Sequence, residues 1–133
     1  MYIEEQRMEI TQRLDILKMS GQLSEEMYHK VLEIIDQFNE NHNIIIHEKN
    51  GAMLITHLCI ALSRIEKGET VSKIESDIFA EVESNAFFAQ SAEILEGIEE
   101  VLGFRMPEEE RGYMQMHLCV LLENESQLRE EGK

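Results

Sequence analysis

Two stretches of this chain carry residues that could do chemistry, and they are near echoes: "THLCIALSR" at 56–64 and "MHLCVLLEN" at 116–124. Each sets His-Leu-Cys inside an apolar run. A titratable ring in such a run is costly unless it has a partner or a task. His57 and His117 can therefore be core hydrogen-bonders, metal ligands or reactive groups. Residues two apart on a helix point to opposite sides, so His57 and Cys59 cannot hold one ion, and neither can His117 and Cys119. A di-iron bundle wants Glu three residues before each His, and those positions hold Leu54 and Met114. A metal site would have to join His57 to His117 with a carboxylate. His29, His42 and His47 read as polar surface.

The third possibility is phosphate acceptance. Neutral imidazole is a nucleophile near pH 7 without extreme tuning. Arg64 lies seven residues beyond His57, two turns on and on the same face, where a guanidinium could steady an added phosphate. Glu110 lies seven residues before His117 and Tyr113 four before it. Both could hold one ring nitrogen and leave the other to react. No nucleophile elbow, P-loop or zincin motif occurs. An independent enzyme is not expected, and no cofactor is implied.

The elements that must position these rings are helices. Seven Gly and one Pro in 133 residues leave few breaks. Residues 2–19 form a first helix, with Ile3, Ile10, Leu14 and Leu17 at helical spacing and Gly21 as its stop. Ser24 is an N-cap, followed by Glu25 and Glu26 in the first turn. Met27, Val31, Ile34, Ile35 and Phe38 stripe the second helix, to about residue 40. The stretch "NENHNIIIHEKNG" at 39–51 reads as a connector whose isoleucines plug the core, with a turn at Asn50-Gly51. The helix at 51–66 is apolar almost all round, which predicts a buried central element. Val71, Ile74, Ile78, Phe79 and Val82 predict a helix over 71–83. Phe87, Phe88, Ile94, Leu95, Ile98, Val101 and Leu102 predict another, ended by Gly103. Pro107 opens the last helix, with Glu108, Glu109 and Glu110 in its first turn, and it runs to about 124. The fold class is all-α, an antiparallel bundle of about five to six helices. Residues 1–21 are a helix extra to or packed on a domain at 22–125, and 126–133 are a polar tail expected to fray.

Composition narrows the function. Twelve basic residues face 27 acidic ones, for a formal charge of −15, so direct nucleic-acid contact is not expected. An acidic face could meet a basic partner. Cys59 and Cys119 sit in apolar contexts, as reduced buried thiols do. The strongly apolar stretch at 52–62 is too short to cross a bilayer, and no signal peptide is visible. A cytoplasmic protein follows.

The segment "MPEEERGYMQMHLCV" resembles the second-histidine motif of the PTS regulation domain, or PRD. That motif reads Leu-Pro-acid-acid-Glu, a small residue, an aromatic, then apolar residues and His. Met106, Pro107, Glu108, Glu109, Glu110, Gly112, Tyr113 and His117 occupy those places. "ITHLCIALSRIEKGE" echoes the first-histidine motif, with His57, Arg64 and Gly68 at the expected distances. The likeness spans residues 22–125. It implies an all-helical, commonly dimeric module of sugar-operon regulators, phosphorylated on histidine by the phosphocarrier HPr or a sugar-permease B domain. His117 and His57 become the expected phosphoacceptors. The family usually has Asp before its first histidine, and here Thr56 stands there. Arg111 replaces a common apolar residue, which predicts a more exposed start to the last helix. One such domain without an RNA- or DNA-binding partner domain implies a stand-alone module, acting as a homodimer through an unknown downstream regulator. The alternatives are a helical interaction module that is not phosphorylated, and a His-based metal-binding bundle.

Overall fold

The structure, a computed structural model, describes residues 2–131, except for the side chains of residues 2–4, 6, 7, 130 and 131. Six helices and no strand occur among the described residues, so the all-α expectation holds. They fall into two units, one up to Gly68 and the other from Glu69 on.

The first unit contains α1 (Tyr2–Met19), α2 (Glu25–His42) and α3 (Glu48–Glu66). Ile10 and Leu14 of α1 are buried and Leu17 is half-buried; Ile3 lies outside the described side chains. The hydroxyl of Ser24 accepts the Met27 N–H at 3.2 Å, which satisfies one of the orphan donors of a helix start. All five residues of the expected α2 stripe are buried. Asn43 ends α2 in the left-handed region at φ 56°, a conformation Asn tolerates better than most residues. Ile44 and Ile46 then plug the core, at 2% and 1% exposure.

Helix α3 starts three residues earlier than expected. Asn50 is not in a turn: its Oδ1 accepts the His47 N–H at 2.8 Å and its Nδ2 donates to the Ile45 carbonyl at 2.9 Å. The His47 Nδ1 in turn accepts the Lys49 N–H at 3.2 Å. His47 is thus the N-cap of α3, not mere polar surface. Gly51 belongs to that first turn because a Cβ there would stand 2.7 Å from the Cγ2 of Ile46. Helix α3 packs against both α1 and α2 and buries Leu54, Ile55, Leu58, Cys59, Ala61 and Leu62, as an element apolar nearly all round should.

The second unit contains α4 (Ser76–Glu83), α5 (Phe88–Leu102) and α6 (Glu108–Glu131). Helix α6 packs against both α4 and α5. The expected helix over 71–83 is helical only from Ser76. The preceding residues are tied to α6 instead: the Ser72 carbonyl accepts the Tyr113 hydroxyl at 3.1 Å. Ile74 also lies so near Gly112 that a Cβ there would meet its Cγ2 at 3.0 Å. Helix α5 ends at Gly103, left-handed at φ 83°. Helix α6 runs about seven residues past its expected end. The stretch 125–131 holds only good helix formers and one Ser, with no breaker before Gly132.

Candidate functional site

The two His-Leu-Cys triplets have the same placement in their units. Leu58, Cys59, Leu118 and Cys119 are all buried, at 3% exposure or less, while His57 and His117 are half-buried. Successive residues of a helix are about 100° apart. With Leu and Cys turned into the core, the histidine before them falls on its flank. Neither ring is a core filler, and neither is fully solvated.

The thiols are poor nucleophiles. Both cysteines are free and buried. Burial pushes the Cys59 thiol up to about 12. Burial also raises Cys119, which Ser91 opposes with a hydrogen bond and Glu123 reinforces with its charge. Only a thiolate attacks readily, so neither thiol is poised to react near neutral pH. Partial burial lowers the pKa of His117 and keeps the ring neutral, with a lone pair, near pH 7.

Around His117, Glu110 and Tyr113 continue one stripe of α6. Glu110 is 2% exposed and engaged with a neighbour. Tyr113 gives its proton to the Ser72 carbonyl, so its oxygen can only accept from other groups. Arg111, expected to expose the start of α6, does the opposite. Its guanidinium pairs with Glu99 of α5, and its side chain is only 16% exposed. The same carboxylate accepts the Met106 N–H at 2.7 Å. One acid thereby holds both the cation and the loop that leads into the helix.

His57 belongs to the first unit and has a different setting. Its Nε2 is enclosed by protein. Thr56, where the motif usually has Asp, accepts a hydrogen bond from Nη1 of Arg13 at 3.2 Å. Arg13 also grips Glu48: Nε lies 2.9 Å from Oε1 and 3.2 Å from Oε2, and Nη2 completes the ion pair. The hydrogen bond to Glu48 raises the Arg13 pKa further. Arg64, half-buried near the end of α3, is also engaged.

Sequence reasoning missed the Arg13–Glu48–Thr56 and Arg111–Glu99 groups. Their members are 35, 43 and 12 residues apart, and no helical spacing links them. The His47 cap did leave a trace, a polar pair three residues apart just before an apolar run. Among the described residues no three or more His, Cys, Asp or Glu side chains converge on a metal site. Nor is any helix long and apolar enough to cross a membrane.

A family model, the PRD domain, matches residues 32–119. An uncharacterized protein of Haemophilus influenzae is 22% identical over 122 residues, which cover 92% of this chain and 98% of the relative. The uncharacterized protein YhfY of Escherichia coli is 18% identical over 106 residues, 80% of this chain and 88% of the relative. No solved structure matches.

Proposed function

Because the chain belongs to the PRD domain family across residues 32–119, we propose that it is a cytoplasmic regulatory module phosphorylated on His117 by a phosphotransferase-system protein, HPr or a sugar-permease B domain. The observation that carries this reading is the half-buried imidazole on α6, kept neutral by its surroundings. Attack on phosphorus needs a ring-nitrogen lone pair, which a protonated ring lacks. One bond to phosphorus breaks on the donor and one forms on His117, and the module gains about −1.5 to −2 charges. The added charge biases how chains associate, and control of sugar-use genes then passes through a partner protein. His57 is the secondary acceptor. Its enclosed Nε2 means that phosphate reaches that nitrogen only after local opening.

A homodimer fits one face of α1. Met8, Ile16 and Met19 are 60%, 66% and 85% exposed and cluster on the side opposite Ile10 and Leu14. Exposed apolar patches of this kind mark interaction surfaces.

The test is incubation with phosphorylated HPr or a phosphorylated permease B domain, read by intact-protein mass spectrometry. The wild type should gain an acid-labile phosphoryl group. His117→Asn should lose most of it, and His57→Asn should keep it. Labelling that survives in His117→Asn rejects the assignment of the main acceptor. No labelling by either donor class favours the second reading, an interaction module without phosphorylation, in which Arg13 and Thr56 are part of a static packing of α1 on α3.

A further inference from the structure

The second unit holds a cavity of about 400 Å³ between residues 73–79 and the first turns of α6, within the range of small-molecule sites. Its lining is unusual in how much is left uncommitted. Gln115 is 8% exposed and faces this space, yet its amide makes no hydrogen bond among the described residues. The amide both donates and accepts. Lys73 and Glu108 are exposed at the same cavity and form no ion pair among the described residues. Arg111 is already neutralised by Glu99. The site therefore offers one open cation, one open carboxylate, one open amide and the hydroxyl of Ser76. Ile74 and Phe79 supply apolar surface, and the Phe79 ring is fixed edge-on against Phe88 with centroids 6.2 Å apart.

We propose that this cavity binds a small zwitterion with an apolar side group, a free α-amino acid of aromatic or branched type. Its carboxylate pairs with Lys73 and its ammonium with Glu108. The Gln115 amide takes the remaining hydrogen bond, and the side group packs on Ile74 and Phe79. A simple anion meets Glu108 as a like charge, and a simple amine meets Lys73 as one. A molecule that carries both charges satisfies both. The cavity is distinct from the phosphoacceptor: positions 115 and 117 are about 200° apart around the helix, so the proposal stands apart from phosphorylation at His117.

The test is calorimetric titration and thermal shift of the full chain with L-phenylalanine, L-leucine, phenylacetate, phenethylamine and glucose. At least one of the two amino acids should bind saturably and raise the melting temperature, at least ten-fold more tightly than phenylacetate or phenethylamine. Lys73→Ala, at an exposed position, and Gln115→Met, close in shape to the amide it replaces, should each weaken binding at least ten-fold. Gln115→Met should also melt no lower than the wild type without ligand, which separates a ligand-directed amide from a structural one. The proposal is overturned if neither amino acid binds, if phenylacetate, phenethylamine or glucose binds as tightly, or if both variants bind as the wild type does.

Discussion

At the scale of single residues, environment separates two histidines that look equivalent in the sequence. Burial lowers the His117 pKa from its ordinary 6.5, so the folded ring stays neutral where the unfolded one is protonated. Below about pH 6.5 the unfolded chain binds more protons, and stability falls as pH drops toward the folded-state value. Above it both rings are neutral and the stability is present in full. His117→Gln should shrink the difference in urea-unfolding stability between about pH 7.5 and about pH 5; an unchanged difference rejects the assignment. Gly51 makes a sharper case. Its missing Cβ would come within 2.7 Å of the Ile46 side chain, so Gly51→Ala must displace a residue only 1% exposed. The helix-propensity gain of up to about 1 kcal/mol is outweighed by overpacking of about 1–3 kcal/mol. The measured denaturation midpoint should fall.

At the scale of elements, each helix end reports what was and was not readable. Asn50 closes the start of α3 by bonding both the His47 N–H and the Ile45 carbonyl. Asn50→Ala should destabilise by about 1–2 kcal/mol, with an unchanged urea m-value if only the cap is lost; a variant as stable as wild type would show that water replaces both bonds. The apolar stripe and serine cap of α2, the burial of α3 and the glycine end of α5 were legible, because they rest on periodicity and local capping. The starts of α3 and α4 were not. Asn-Gly reads as a turn until Ile46 is seen to need the space over Gly51. Val71 and Ile74 keep helical spacing although their segment is held by Tyr113 and Gly112 of α6. In the candidate site, the half-buried placement of His57 and His117 beside buried Leu and Cys residues follows from counting along one helix. Glu48 under Arg13 and Glu99 under Arg111 could not, since tertiary packing alone brings those partners together.

At the scale of the whole molecule, charge is the dominant fact. With 12 basic and 27 acidic residues, self-repulsion opposes the compact state. The pairs in the structure relieve only part of it: the Arg13–Glu48 pair is about a third exposed, so solvent screens it. Added salt shortens the reach of the remaining repulsion, from about 10 Å at 0.1 M to about 3 Å at 1 M. The melting temperature should therefore rise between about 0.05 and about 0.5 M KCl, and a flat or falling response would show that specific ion pairs outweigh the general repulsion. Phosphorylation at the proposed acceptor His117 would deepen the same imbalance by about −1.5 to −2 charges and place them on α6, whose first turn already holds Glu108, Glu109 and Glu110. The phosphorylated chain should gain more from salt than the unmodified one. Parallel melting curves of the two forms across the KCl series measure this directly: curves of equal slope would mean that the added phosphate is neutralised locally and does not act through the general field of the protein.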